Sequence, residues 1–281
     1  DDLRSFLKGD YWVAPEAAKR ICGSLDLYSG QYQGYDSSVN FITCHDGFTL
    51  YDLYSYNEKH NEENGWNNTD GANDNRSWNC GQEGPSDSEE IRQLRFRMIK
   101  NACAVLMCSR GTPMFLAGDE FGNTQFGNNN SYCQDNEISW LDWTLAEENK
   151  EIHDFFRYMI SFRREHGVIR DNTAPCSLGF PSMSIHSLKP WDDNFDWNSK
   201  MVGVMFAGIY PSAGMISCPW MNHCVERACG MNDSGPSRTS CAVRNMTALT
   251  TGSCSMVCRS QRFGISVWIS AITTGTRSLK W

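Results

Sequence analysis

The sequence of residues 1–208 predicts an α/β fold in which parallel strands alternate with helices. Two short apolar segments, 39–44 and 112–117, have the residue types of buried strands, and each runs straight into ionisable residues. A helical pattern follows each segment after a long loop. This order is that of a βαβα unit with parallel strands. Acids at both strand ends favour part of a (β/α)8 barrel, whose active site lies at the carboxyl ends of its strands.

The elements before and around the strands follow from local patterns. Two short helical pieces, Asp2–Leu7 and Pro15–Cys22, come first. The strand Val39–Cys44 leads into His45-Asp46-Gly47, and the strand Thr112–Ala117 leads into Gly118-Asp119-Glu120. Two βα units cannot close a barrel by themselves, so we expect the chain to carry only a portion of one.

The helix between the strands has a clear beginning and end. Ser88 is a suitable N-cap before Glu89 and Glu90, and Gly111 lies just past the pattern. Its apolar face recurs at helical spacing and contains Ile91, Leu94, Met98, Ile99, Ala102, Val105 and Leu106.

A second helix is expected after the second strand. Glu147 and Glu148 occupy its first turn, and Gly167 closes it. Its apolar face is Ile152, Phe155, Phe156, Met159 and Ile160.

Charge and hydropathy exclude several classes of partner. The chain has 281 residues and a net charge of −8 without a basic tract, so we expect neither nucleic acid nor an anionic membrane as partner. No apolar run approaches the roughly 18 residues of a membrane span. The first residues lack the basic start and apolar stretch of a signal peptide.

Residues 209–281 differ in composition from the rest. They hold six of the 13 cysteines and carry a net charge of +5, whereas residues 1–208 carry −13. We find no sustained helical or strand period there. A zinc module fits poorly, because Cys224-x4-Cys229 and Cys254-x3-Cys258 match no structural-zinc spacing. A small β domain of unusual composition and a shifted reading frame are the other interpretations.

The frameshift interpretation has one specific support. The codons of an Asp-Asp-Ile-Val stretch, read one base later, can encode Met-Ile-Ser-Cys, and the chain has Met215-Ile216-Ser217-Cys218. A separate observation concerns disulfides: the irregular spacing of the 13 cysteines argues against a disulfide framework.

Two long loops, 48–87 and 128–143, are rich in Asn, Trp and Tyr. Aromatic rings offer flat faces to sugar rings, and amides and carboxylates can bond to hydroxyls. Both loops follow a strand end, so we expect them at one face, where they favour a polar, uncharged, hydroxyl-rich ligand. The alternative is two Asn-rich surface loops.

An ordered set of motifs resembles a known family. FITCHDGFTL at 41–50 is similar to a conserved region of the α-amylase superfamily, glycoside hydrolase family 13. Further motifs resemble isoamylase-type glycogen debranching enzymes: YNEKHN at 56–61, NRSWNCG at 75–81, GTPMFLAGDEFG at 111–122, YCQDNEISW at 132–140 and HSLKP at 186–190.

The resemblance implies both a fold and a reaction. Residues 1–180 would be the C-terminal part of a (β/α)8 TIM barrel, with strands 7 and 8 and their helices. Residues 181–208 would begin a C-terminal β-sandwich, and 209–281 form no recognisable domain. The family hydrolyses α-1,6 branch linkages in glycogen or related glucans with retention of configuration.

The resemblance also implies roles for individual residues. Asp46 would be the carboxylate that stabilises the transition state, and His45 would bond to a hydroxyl of the same sugar. The family's nucleophile and acid/base precede this motif, and no acid upstream of His45 sits in such a motif, so we expect neither in this chain. Weaker candidates for substrate contact are His60, Asp119, Glu120, Asp135 and Glu137. For Asp119 and Glu120 the alternative is that they fix the loop after the second strand through hydrogen bonds.

Four hypotheses remain open at this point. The chain is a fragment of a debranching hydrolase that is inactive alone, a glucan-binding pseudoenzyme, a frame-disrupted gene product, or part of a related enzyme such as a pullulanase-like or maltooligosyl-trehalose hydrolase. We expect an α-glucan partner, no cofactor, no metal and a cytoplasmic location.

Overall fold

The computed structural model describes residues 1–28, 38–170 and 181–207, together with the backbone of 253–260 and 265–272. The helices in these parts are α1 (Asp2–Lys8), α2 (Ala14–Ile21), α3 (Leu50–Leu53), α4 (Glu89–Cys108), α5 (Leu145–Glu148), α6 (Lys150–Glu165) and α7 (Gly167–Arg170). The strands are β1 (Val39–Phe41), β2 (Thr112–Met114), β3 (Met183–His186), β4 (Met201–Ala207), β5 (Ser253–Ser260) and β6 (Ile265–Ile272).

The parallel βαβ arrangement is confirmed. β1 and β2 pair in parallel with Val39 opposite Thr112, and α4 lies between them in sequence. Each strand is three residues long, half the predicted length, because the chain turns away after Phe41 and after Met114 to form the loops. The described part of this sheet therefore contains one strand pair.

The expectation that both segments are buried strands is wrong for the described structure. Val39 is 51% exposed and Phe41 is 49% exposed, and Met114 is exposed too. A parallel sheet is normally covered on both faces. Here no described element covers the side that carries these residues, so their apolar side chains reach solvent.

The helix α4 matches the prediction at its start. The Ser88 side chain accepts a hydrogen bond from the Ile91 amide, so Ser88 is the N-cap. The predicted face is buried from Met98 onward, while Ile91 and Leu94 are only partly buried. Near its C-terminal end, α4 also buries residues outside the predicted face, because it packs against α6 and lies at the centre of the core.

The prediction of the second helix is wrong in three details. Asn149 ends α5 and precedes α6, so Glu147 and Glu148 belong to a separate single turn. The Asn149 side chain donates to the Phe121 carbonyl at 3.0 Å, which ties this break to the loop after β2. Gly167 begins α7 instead of ending a helix, and Ile160 of the predicted face is exposed.

The short helices α1 and α2 are confirmed and belong to the same core. Phe6 and Ile21 are buried in one cluster with the inward side of α4. The Arg110 amide donates to the Ile21 carbonyl at 2.8 Å, which joins the end of α2 to the segment before β2. No described helix is long and apolar enough to cross a membrane.

A second sheet has the order β3-β4-β6-β5. β3 pairs antiparallel with β4, β6 pairs parallel with β4, and β5 and β6 form an antiparallel pair. Val202, Val204 and Phe206 of β4 are buried in the same cluster as α2 and α4. β5 and β6 lie within residues 209–281, where the sequence shows no sustained strand period. Cys218, Cys224, Cys229 and Cys241 lie outside the described residues, as does the Met215–Cys218 stretch.

Candidate active site

The residues His45 and Asp46 lie on the loop that follows β1. The His45 Nε2 atom is 3.5 Å from the Asp46 Oδ2 atom, and the two side chains are 87% and 80% exposed. Gly47, the next residue, has a φ of +95°, a conformation that glycine adopts without strain. The structure therefore brings the two sequence-predicted residues together at the surface, where a ligand can reach them.

Asp119 is the buried support beneath this loop. Its carboxylate accepts hydrogen bonds from the Thr43 hydroxyl, from the Leu50 amide at 2.8 Å and from the Leu116 amide at 3.1 Å. Thr43 and Leu50 flank the His45-Asp46 pair on both sides. A single carboxylate thus holds both ends of the loop.

Of the two roles considered for Asp119, its position favours fixing the loop over contacting the substrate. Asp119 is 1% exposed, so a sugar cannot reach its oxygens without displacing the loop. Burial raises the pKa of the Asp119 carboxyl to about 7, although its three hydrogen-bond donors lower it. We therefore describe Asp119 as a residue that positions the loop.

Two further contacts hold the loop from outside. The Arg4 guanidinium of α1 donates to the Ile42 carbonyl at 2.6 Å and to the Asn75 carbonyl at 3.2 Å. The Gly47 amide donates to the Asn129 carbonyl at 3.0 Å. The loop after β1 is therefore attached to α1 and to both Asn-rich loops.

The Asn-rich loops are joined by their own amides. The Asn61 Nδ2 atom donates to Asn129 Oδ1, and the backbone amide of Asn129 donates to Asn61 Oδ1, both at 2.9 Å. The Asn129 Nδ2 atom also donates to Asn75 Oδ1 at 2.9 Å. All three side chains are buried. The expectation that loop amides meet sugar hydroxyls is wrong for these three, because their hydrogen-bonding groups are used internally.

Asp52 of α3 is a buried carboxylate that the sequence did not single out. It accepts hydrogen bonds from the Thr124 hydroxyl at 2.5 Å and from the Gln125 amide at 2.8 Å. Burial raises the pKa of the Asp52 carboxyl to about 6. The available signal was one acid inside the apolar run Leu50–Leu53. Asp52 connects α3 to the loop after β2.

His60 faces an acidic neighbour in its own loop. Its Nε2 atom is 3.8 Å from Glu83 Oε1, and its ring meets the Tyr56 ring edge-on at 5.4 Å. Glu83 in turn accepts hydrogen bonds at 2.9 Å from the amides of Asn57 and Glu58. Burial opposes ionisation of Glu83, but these donors outweigh it and lower its pKa. Among the described residues, no group of three His, Cys, Asp or Glu side chains is arranged to hold a metal.

The remaining candidates for substrate contact, Glu120, Asp135 and Glu137, differ in exposure and in hydrogen bonding. Glu120 accepts a hydrogen bond from the Gly118 amide at 2.8 Å and is half-buried. Asp135 is exposed and accepts from the Trp140 indole at 3.0 Å. Glu137 is exposed on the same loop. Asp135 and Glu137 are thus accessible to a ligand, whereas Glu120 stabilises its own turn.

The curated proteins similar to this chain in sequence include glycogen operon proteins and isoamylases. No family model matches the chain. A glycogen operon protein GlgX homolog of Mycobacterium bovis is 51% identical over 170 residues, which are 60% of this chain and 24% of the relative. The chloroplastic isoamylase 3 of Oryza sativa is 48% identical over 171 residues, and the chloroplastic isoamylase 1 of Arabidopsis thaliana is 42% identical over 205 residues.

The chain is less similar in sequence to the pullulanases of known structure that it matches than to these relatives. A pullulanase from Bacillus acidopullulyticus is 26% identical, with a TM-score of 0.43, over 60% of this chain and 17% of that one. The chain spans about a quarter of the length of the curated relatives it matches. At 42–51% sequence identity over 60–72% of its length, the chain is similar to one segment of the glycogen operon protein GlgX homologs and of the isoamylases.

Proposed function

We propose that this chain supplies the transition-state-stabilising part of a hydrolase that cleaves α-1,6 branch linkages in glycogen or a related glucan. One observation carries the proposal: His45 and Asp46 are exposed at the end of a parallel strand, on a loop held from beneath by Asp119. The names of the relatives, glycogen operon protein and isoamylase, support a branched α-glucan as substrate.

In the proposed reaction, the Asp46 carboxylate stabilises positive charge that develops at the sugar ring. His45 binds a hydroxyl of the same sugar. Both groups act by being in place before the reaction, so the loop's attachment to Asp119 and Asn129 serves catalysis directly.

Retention of configuration requires a nucleophile and an acid/base about 5–5.5 Å apart. We propose that neither is among the residues of this chain. The described acids before His45 support this, since four of them form ion pairs around α1 and α2: Asp2 and Asp26 with Arg20, Asp10 with Lys8, and Glu16 with Lys19. Asp36 lies outside the described residues.

The chain by itself is therefore expected to bind glucan without hydrolysing it. We further propose that residues 1–180 are the last two βα units of a barrel, that the β3–β4 pair begins a β-sandwich, and that the enzyme is cytoplasmic. The plant relatives are named as chloroplastic, so the location requires its own test.

Affinity electrophoresis in glycogen-containing gels, with a parallel reducing-end assay on glycogen, tests this proposal. We expect glycogen to retard the chain and Asp46→Asn to reduce the retardation, with no reducing ends released by either. Asp87→Asn is the matched control, because Asp87 is an exposed acid on the far end of the loop, just before α4. Wild-type chain that glycogen does not retard, or that releases reducing ends, would contradict the proposal.

A further inference from the structure

Two exposed aromatic rings lie side by side on different loops. Trp66 is 59% exposed and Tyr132 is 69% exposed. The Trp66 indole nitrogen is 3.3 Å from the Tyr132 hydroxyl, so the two rings contact through their polar edges. That contact leaves most of their apolar surface to solvent.

The turn that carries Trp66 is built to hold one conformation. The Thr69 amide donates to the Trp66 carbonyl at 3.1 Å, which closes a four-residue turn. The two central residues, Asn67 and Asn68, have φ values of +50° and +58°, which Asn tolerates better than most residues. The Asn68 side chain then accepts from the Asn61 amide and donates to the Lys59 carbonyl, both at 2.9 Å.

The segment before Tyr132 is fixed to the same loop. The Asn128 side chain donates to Asn64 Oδ1 at 2.9 Å, and the Asn64 side chain donates to the Asn130 carbonyl at 2.9 Å. Asn64 and Asn128 are buried. Buried, satisfied polar networks hold their members in one arrangement. The backbones beneath the two rings are therefore locked to each other.

The ring pair is attached to the candidate active site through the same network. The carbonyl of Asn129, which lies between Asn128 and Asn130, accepts a hydrogen bond from the Gly47 amide at 3.0 Å. Gly47 follows Asp46 directly in the sequence. Asn129 also pairs with Asn61, five residues before Trp66. The loop with Asp46 and the two ring-bearing loops thus share one set of buried amides.

We propose that Trp66 and Tyr132 form a subsite that stacks on glucose rings of an α-glucan next to the His45-Asp46 loop; this rests on the proposed function. Aromatic faces match the apolar C–H face of a sugar ring, and the indole and phenol edges can bond to hydroxyls. A rigid support lowers the entropy lost when a sugar binds. The side chains that hold the rings are amides together with one carboxylate, that of Asp70, which accepts hydrogen bonds at 2.8 Å from the Asn64 and Asn130 side chains.

Glycogen affinity electrophoresis of the full chain, with maltoheptaose as soluble competitor, tests the subsite. We expect Trp66→Ala and Tyr132→Ala each to weaken the apparent glycogen Kd about five- to tenfold, the order of one lost ring contact. Trp12→Ala is the matched control, because Trp12 is 73% exposed and lies between α1 and α2. It should bind as the wild type does. Trp66→Phe should keep most of the affinity, since a flat ring remains.

The outcomes separate this proposal from the proposed function. Normal binding by both alanine variants would overturn the subsite, and if Asp46→Asn still weakened binding the proposed function would stand. Weakened binding by the alanine variants with normal binding by Asp46→Asn would support the subsite and count against the role of Asp46. Wild-type chain that glycogen does not retard would overturn both. Should an alanine variant unfold, Trp66→Leu keeps apolar bulk without a flat ring and should lose a similar affinity.

Discussion

The Thr43 hydroxyl donates a hydrogen bond to the Asp119 carboxylate, across 76 residues of sequence. Thr43 lies two residues before His45, and Asp119 lies in the turn after β2. Because the same carboxylate also accepts the Leu50 amide, the loop after β1 takes its shape from the loop after β2. The two strand ends therefore act as one unit beneath the candidate active site.

Removing this carboxylate should destabilise the chain. Asp119→Ala leaves the buried Leu50 amide and the partly buried Leu116 amide without their acceptor, and an unsatisfied buried donor costs about 1–3 kcal/mol. We expect the free energy of unfolding to fall by about 2–4 kcal/mol in urea titrations. Glu137→Ala, a change at an exposed acid, is the control and should stay within about 0.5 kcal/mol. Equal effects of the two substitutions would refute the supporting role of Asp119.

Stability should depend on pH through Asp52 and Asp119. Burial raises the pKa of the Asp52 carboxyl to about 6 and that of Asp119 to about 7, above the value of about 4 in an unfolded chain. Between pH 4 and pH 7 the folded state therefore binds more protons than the unfolded state, so the contribution of these groups to stability declines as pH rises.

The Asp52→Asn variant isolates that contribution, because an amide cannot lose a proton. We expect the difference in unfolding free energy, wild type minus Asp52→Asn, to be more favourable to the wild type at pH 5 than at pH 8. Urea titrations at the two pH values measure it. A difference that grows in favour of the wild type from pH 5 to pH 8 would show that the Asp52 pKa is lowered by folding.

The reciprocal Asn61–Asn129 pair should behave as one unit. We expect Asn129→Ala to cost about 2 kcal/mol, because it removes the buried Oδ1 acceptor of Asn61 Nδ2 and the Nδ2 donor to Asn75 Oδ1, whereas Asn61 Nδ2 keeps its hydrogen bond to the Asp70 carbonyl. A double-mutant cycle with Asn61→Ala should show a coupling of about 1 kcal/mol or more. The exposed Asn73 is the control position. Strictly additive effects of the two substitutions would argue that the amides act separately.

The uncovered side of β1 should tolerate a polar residue. Phe41 is half exposed, so Phe41→Ser should cost less than about 1 kcal/mol, whereas Ile42→Ala, at a buried neighbour, should cost about 2–4 kcal/mol. Thermal or urea unfolding of the two variants compares them directly. A loss with Phe41→Ser as large as that with Ile42→Ala would mean that this face of the strand is covered.

Local sequence patterns were sufficient for several elements. Ser88 before Glu89 predicts the N-terminus of α4, and the cap is present. The two β-prone segments predict parallel strands, and Val39 does pair with Thr112. Such features depend on residues within a few positions of one another and on the βαβ connection, so they can be read along the chain.

Other features lay beyond local patterns. Asn149 interrupts the expected second helix because its side chain bonds to the carbonyl of Phe121, 28 residues earlier. Phe41 has the residue type of a buried strand, yet its exposure depends on which elements cover the sheet.

The residue order alone showed the resemblance of this protein to a segment of the isoamylase-type enzymes, with His45 and Asp46 adjacent at a strand end. Tertiary structure decided that Asp119 supports the loop from inside, that Asn61 bonds to Asn129, and that Trp66 meets Tyr132 at the surface. These last contacts join residues more than 60 positions apart. Burial and hydrogen-bond partners at such separations are set by the packing of whole elements, and no short-range period in the sequence encodes them.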